Sequence, residues 1–290
     1  MVPLGVKGGI DESNLSAYMV APLGTNDYVC FDAGTIHTGI EKAIAKKTFK
    51  ANNSVVLRQY IKGYFISHAH LDHVAGLVIN SPDDSTKTIY GLPATINNFE
   101  NSYFNGEAWS NFGDEGKGFL VKKYHFEKLG VGELTPVKNT GMTVKAFPLS
   151  HINPYESTAF LLDNGGEYIL YLGDTGCDSL EHSDKLSLLW QEIAPLIKAK
   201  KLHAIFIEVS YPDEQPADKL FGHLTPQWLM KEMMSLSLLT GKEALKGCKL
   251  VITHMKPPTS KFAVIKRQLD LQNNLGLQFI YPGQGKAVQL

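Results

Sequence analysis

Ser67-His68-Ala69-His70-Leu71-Asp72-His73 places three histidines and an aspartate within six residues, directly after the apolar run Tyr64-Phe65-Ile66. Neutral imidazole nitrogen and carboxylate oxygen are good ligands for Zn²⁺, Mn²⁺ or Fe²⁺. Their alternation on one tight loop can feed two adjacent ions. His68 and His70 are expected to point one way, with Asp72 and His73 further round the turn. Four ligands do not complete two catalytic centres, so more donors must come from elsewhere in the chain.

Outward from this segment, short β-branched and aromatic runs recur, each stopping at a polar residue. Tyr28-Val29-Cys30-Phe31 stops at Asp32-Ala33-Gly34, and Val144-Lys145-Ala146-Phe147-Pro148-Leu149 stops at Ser150-His151. Tyr168-Ile169-Leu170-Tyr171-Leu172 stops at Gly173-Asp174. Ala204-Ile205-Phe206-Ile207 stops at Glu208, and Leu250-Val251-Ile252-Thr253 at His254. With the run before Ser67, six predicted strands each deliver a His, Asp or Glu at the C-terminal end. Loops over such ends can converge on one site because the sheet beneath is rigid. His151, Asp174 and His254 are therefore the donors that make up the deficit. Helix-like stretches lie between, one over roughly Pro93 to Phe104 and one after Thr225-Pro226, where Thr is the N-cap and Pro the first helical residue. In the second, Leu229, Met233 and Leu236 share a face and read as core packing.

The 290 residues are 43% hydrophobic and 20% charged, with a formal net charge of -1, which is ordinary globular composition. No broad basic surface is implied, so capture of nucleic acid has no compositional support. The run Lys198-Ala199-Lys200-Lys201 reads as a solvated helix end. No repeat or composition break divides the chain, so residues 1–290 are read as one domain. No apolar stretch is long enough to span a bilayer, and Met1-Val2-Pro3-Leu4-Gly5 carries no signal-peptide pattern. A soluble, cytoplasmic protein is expected as the chain stands, or a periplasmic or secreted one had a signal been removed. Cys30, Cys177 and Cys248 are odd in number and lack CxxC spacing, so they read as single buried thiols in or near strands. His37, His125, His182 and His203 have no strand-end setting and read as structural or exposed.

The pattern His68-x-His70-x-Asp72-His73 resembles the signature of the metallo-β-lactamase superfamily. The resemblance implies an α/β fold, an αββα sandwich with the site at one edge of two sheets. It also implies that His68, His70 and His151 hold one metal and Asp72, His73 and His254 the other. Asp174 would bridge the two, and Asp32 would steady the ligand loop from behind. The longer run from His68 through Val74-Ala75-Gly76-Leu77-Val78-Ile79-Asn80-Ser81-Pro82 resembles class II cyclic-nucleotide phosphodiesterases. So do the opening Gly8-Gly9-Ile10-Asp11-Glu12-Ser13-Asn14-Leu15-Ser16 and the late Phe221-Gly222-His223-Leu224-Thr225-Pro226. These segments lie at both ends and in the middle, so the resemblance covers essentially the whole chain. It implies two divalent ions per chain, Zn with Mn or Fe as alternatives. It further implies a small cyclic nucleotide as substrate and makes a homodimer plausible, while charge and hydropathy point to no nucleic-acid or membrane partner.

Two metals roughly 3.5–4 Å apart lower the pKa of a shared water towards neutrality and orient the hydroxide for attack. On a cyclic 3′,5′-phosphodiester the leaving 3′-alkoxide needs a proton, so an acid outside the metal shell is expected. His223, just before the helix start at Thr225, is the candidate. Glu208, ending a neighbouring strand, would orient that imidazole and raise its pKa. The related tRNA 3′-end endonucleases carry a similar glutamate-then-histidine pair. Asn14 and Ser16 could contact phosphate or sugar, although turn formation explains them as well. Trp109 and Phe112 could stack on a purine or simply anchor a long loop. Two other readings stand beside the phosphodiesterase: a tRNA 3′-end endonuclease-like hydrolase, and a non-catalytic member that binds cyclic nucleotide.

Overall fold

The computed structural model describes residues 1–152 and 155–290. The chain forms two compact units, Met1–Ala146 with Pro282–Gln289, and Phe147–Tyr281 with Leu290. The boundary falls inside a strand, between Ala146 and Phe147, where nothing in the composition changes.

The first unit holds strands β1 (Val2–Gly5), β2 (Ala17–Val20) and β3 (Tyr28–Phe31), paired antiparallel. Strands β4 (Ile61–Phe65), β5 (Lys87–Gly91) and β6 (Tyr124–Lys128) continue the sheet in parallel, giving the order β1-β2-β3-β4-β5-β6. Parallel strands covered on both faces read as near-continuous apolar runs, which is why β3 and β4 were legible. The helices of this unit are α1 (His37–Ala45), α2 (Asn53–Val55), α3 (Leu71–Asn80) and α4 (Pro93–Ser102). A π-helical turn, Val56–Tyr60, follows α2 directly. Met19, Cys30, Ile40, Tyr64, Val74, Leu77, Ile89 and Phe99 are among the buried side chains of this unit's core.

Strand β7 (Thr135–Pro136) pairs antiparallel with β8 (Thr143–Ser150), along which the chain passes into the second unit. There β9 (Glu156–Asn164) and β10 (Glu167–Leu172) form an antiparallel pair. Strands β11 (Leu202–Glu208), β12 (Lys249–Thr253) and β13 (Gln278–Ile280) extend it in parallel from β10. The sheet order is β13-β12-β11-β10-β9-β8-β7. Helices α5 (Asp178–Glu181), α6 (Lys185–Lys198), α7 (Pro226–Thr240), α8 (Lys242–Leu245) and α9 (Ser260–Gln272) complete the unit.

Leu229, Met233 and Leu236 on α7 lie in the second unit's core with Trp190, Ile193 and Ile252, as their spacing predicts. Pro226 is the first residue of α7, and Thr225 caps it in backbone geometry alone, its hydroxyl making no cap hydrogen bond. The basic run at the end of α6 is exposed. Cys30 and Cys177 are buried free thiols, whereas Cys248 is only half-buried. Among the described residues, no helix is long and apolar enough to cross a membrane.

Candidate metal centre

In the first unit, parallel pairing of Phe31 with Phe65 sets the ends of β3 and β4 side by side. Asp32 follows β3 at φ 52°, a left-handed conformation that a short polar side chain tolerates best after glycine. Its carboxylate is fully buried and works as an anchor. Oδ1 accepts the Ser67 backbone N–H at 2.8 Å, and Oδ2 accepts the Ser67 hydroxyl at 2.8 Å and His73 Nδ1–H at 2.7 Å. A serine has one hydroxyl proton, and here it goes to Asp32. His68 Nδ1, 3.0 Å from the same Ser67 Oγ, must then be the donor. The bonding pattern thus assigns Nδ1–H to both His68 and His73, leaving Nε2 of each as the lone-pair nitrogen a metal needs.

His70 stands at the N-cap of α3, and Asp72 and His73 occupy its first turn, so the ligand loop passes straight into a helix. His70 Nδ1 lies 3.0 Å from His68 Nε2, confirming that these two converge. Asp72 Oδ2 accepts Gly9 N–H at 2.9 Å, which gives the Gly8-Gly9 opening segment a purpose. The Asp32-Ala33-Gly34 turn is laced to α3 by Ala33 N–H to His73 O at 2.7 Å and Gly76 N–H to Gly34 O at 2.9 Å. Gly34 is required there, since a Cβ would lie 2.1 Å from Asp72 O.

The second unit carries a matching arrangement. Glu208, fully buried at the end of β11, accepts Thr175 N–H at 3.0 Å and His223 Nδ1–H at 2.7 Å on Oε1. Its Oε2 accepts the Ser210 hydroxyl at 2.5 Å. Ser210 Oγ is also 2.9 Å from His254 Nδ1, so the same proton count makes His254 the donor and its Nε2 the lone-pair atom. Asp174 Oδ2 is 3.2 Å from that Nε2 and 3.7 Å from His223 Nδ1. Nitrogen and oxygen lone pairs at this separation repel unless a cation draws them together. The edge of a tetrahedral site with bonds of about 2.0–2.1 Å is about 3.3 Å. His151, just after β8, donates Nδ1–H to Gly222 O at 2.9 Å, again presenting Nε2. Burial pushes the His151 imidazole down to about 4, so it stays in its neutral, ligand-competent form at neutral pH. Burial alone would raise the Glu208 carboxyl, but the charge and hydrogen bond of His223 outweigh it and hold the pKa below the usual carboxylate value.

Within this unit His151, Asp174 and His223 present ligand atoms within 4.8 Å of one another, as do Glu208, His223 and His254. The donor types in each unit fit hard-to-borderline divalent ions, and the clusters within the second unit mark a candidate divalent-metal site. Each predicted ligand sits at a strand end or the helix start beside it. Asn14 and Ser16 look inward instead: Asn14 Oδ1 accepts Val6 N–H at 3.0 Å, and Ser16 is buried with its carbonyl accepting Gly34 N–H at 2.9 Å. These contacts tie both residues into the packing of the opening segment. Trp109 is partly exposed and donates Nε1–H to Ser81 Oγ at 3.0 Å, whereas Phe112 is buried against Phe104. His37, His125 and His203 face Glu41, Asp114 and Glu167 in surface ion pairs, in keeping with their non-ligand reading.

Sequence reasoning passed over Ser67, Ser210, Tyr211 and Lys256. The Lys256 ammonium lies 2.8 Å from His223 Nε2 and 5.5 Å from the centre of the Tyr211 ring. Only its position two residues beyond His254 could have drawn attention to it.

The sequence profile of the family described as class-II cAMP phosphodiesterases matches residues 50–285. A 3′,5′-cyclic-nucleotide phosphodiesterase of Aliivibrio fischeri is 43% identical, covering 99% of this chain and 92% of that protein. The structure of unliganded yeast PDE1 superposes with a TM-score of 0.86 at 22% identity, over 98% of this chain and 97% of that one. The metallo-β-lactamase fold protein YhfI of Bacillus subtilis gives a TM-score of 0.62 at 15% identity, over 97% and 96% of the two chains. These likenesses bear out the metallo-β-lactamase-like α/β fold expected from His68 to His73. By its profile match and its near-full-length relative, the chain belongs to the class-II cAMP phosphodiesterases.

Proposed function

We propose that the chain hydrolyses the 3′-ester bond of 3′,5′-cyclic nucleotides, cyclic AMP or cyclic GMP, to 5′-nucleoside monophosphates. The observation that carries this reading is the buried Glu208–His223 pair, 2.7 Å apart, beside Asp174 and His254 in a member of this family. On the superfamily resemblance, His68, His70 and His151 would hold one divalent ion and Asp72, His73 and His254 another, with Asp174 shared. Zn is the first choice, with Mn or Fe as alternatives. When bound, two such ions supply an activated water and neutralise charge on the phosphoryl oxygens. Asp32 and Ser67, and Glu208 and Ser210, hold the imidazoles in the tautomers this requires. Glu208 also fixes the His223 ring, so that Nε2 can deliver a proton to the 3′-oxygen as the phosphorus–oxygen bond breaks.

The test is product analysis with cyclic AMP and cyclic GMP, looking for 5′-monophosphates and their disappearance on chelation. A tRNA precursor assayed alongside addresses the endonuclease reading, which the net charge of -1 does not favour. Cleavage of the RNA alone would overturn the proposal. A purely binding member is disfavoured because a buried, unloaded ligand cluster would lower stability for no return. His223→Ala is expected to keep its metals by elemental analysis and lose about 10²–10⁴-fold in kcat. Full turnover in that variant would remove His223 from the mechanism. Residues 1–290 would act as one hydrolase domain on a small molecule, in a homodimer that sedimentation would detect.

A further inference from the structure

Lys256 is held more closely than a surface lysine would be. Its backbone N–H donates to Ser210 O at 3.1 Å, which ties it to the residue orienting His254. The side chain is half-buried and ends 2.8 Å from His223 Nε2, over the face of Tyr211. An ammonium has three donors, and the imidazole nitrogen takes one. Tyr211 offers only its ring face, which attracts a cation without neutralising it. Among the described residues no carboxylate lies within ion-pair distance of Lys256, while Glu208 is engaged by His223 and Ser210. A half-buried cation kept this way is electrostatically incomplete and favours an arriving anion.

Its location also conflicts with the resting pattern of the reaction. Nε2 of His223 is the atom that must face the 3′-oxygen, and Lys256 covers it. For His223 to act, the ammonium has to leave Nε2 for a better acceptor close by. The cyclic phosphodiester supplies one in its non-bridging oxygens, which carry the substrate's single negative charge. We propose that Lys256 is a phosphate-binding residue of this enzyme, moving from His223 Nε2 to a phosphoryl oxygen when substrate arrives. One contact then both anchors the phosphate and uncovers Nε2, which takes a proton from solvent before passing it to the leaving 3′-oxygen. A lysine suits this better than an arginine, because a compact ammonium can exchange one acceptor for another without re-forming a planar fork.

This inference rests on the cyclic-nucleotide reading, and wild-type hydrolysis of cyclic AMP tests that reading separately. Lys256→Met and Lys256→Arg are compared with wild type for metal content, for kcat and KM with cyclic AMP, and for inhibition by 5′-AMP and by adenosine. Lys256→Met should keep its metals and raise KM by about 10–100-fold, the usual weight of a hydrogen bond to a charged group. Inhibition by 5′-AMP should weaken by a similar factor while inhibition by adenosine, which lacks phosphate, stays the same. Lys256→Arg should recover most of the 5′-AMP affinity. A lysine that merely props His223 would instead lower kcat and leave KM and 5′-AMP inhibition unchanged. That result, or equal weakening towards 5′-AMP and adenosine, would overturn the assignment.

Discussion

Ser67 contributes one hydroxyl, yet two groups, Asp32 and His68, depend on where its proton points. With the hydroxyl on Asp32, His68 Nδ1–H has an acceptor and Nε2 is the lone-pair nitrogen. Ser67→Ala removes that acceptor and leaves the His73–Asp32 bond in place. Metal affinity is expected to fall about 10–100-fold, measured by competition with a chromophoric chelator, with the fold unchanged by circular dichroism. Affinity equal to wild type would show that His68 is oriented by something else. The histidines and aspartates were legible in the sequence because ligand chemistry restricts residue type, and six residues from His68 to His73 hold four of them. Asp32, Glu208 and His223 were legible through their places at strand ends or a helix start. Ser67, Ser210 and Lys256 were not, since serine and lysine are common and their roles depend on which atom holds each proton.

Strands β4, β5 and β6 are joined by a buried polar group away from the metal ligands. Tyr64 and Tyr124 both donate to Asp84 Oδ2 at 2.8 Å, and Lys87 pairs with Asp84 while also bonding Leu57 O at 2.7 Å. Burial, then the charge of Asp84, raises both tyrosine hydroxyls well above their usual value of 10.0. The unfolded chain therefore releases these protons first as pH rises. Stability is fully present below about pH 10 and is lost above it, as pH climbs towards the folded values. Urea denaturation between pH 8 and 11 should show the decline, and Tyr124→Phe should make it shallower. Asp84→Asn leaves Lys87 buried without its partner and is expected to cost about 3–5 kcal/mol in chemical denaturation. The β3 and β4 runs could be read because their core residues are consecutive. Strand β6 could not: Tyr124 and Phe126 point in, but His125 faces solvent, and five residues of mixed polarity match a loop as well as a strand.

At the scale of the molecule, each unit has its own core, and residues from both ends of the chain complete the first. Gln284 is buried there, donating to Leu4 O at 2.8 Å and Ser13 O at 2.6 Å and accepting from Lys42 Nζ at 2.7 Å. Gln284→Ala strands these groups and should lower stability by about 1–3 kcal/mol, read from the unfolding midpoint. No local pattern announces such contacts, because Gln284 lies 242 to 280 residues from these partners along the chain. The paired carboxylates have a consequence at this scale as well. Asp32 sets His73 directly and His68 through Ser67, and Glu208 sets His223 directly and His254 through Ser210. A change at either acid therefore rewrites two imidazoles together, and its effects will not add to those of the histidines. Within either unit, the imidazoles cannot be retuned one at a time through the acid. The serines are where selection or design can adjust a single imidazole and leave its neighbour untouched.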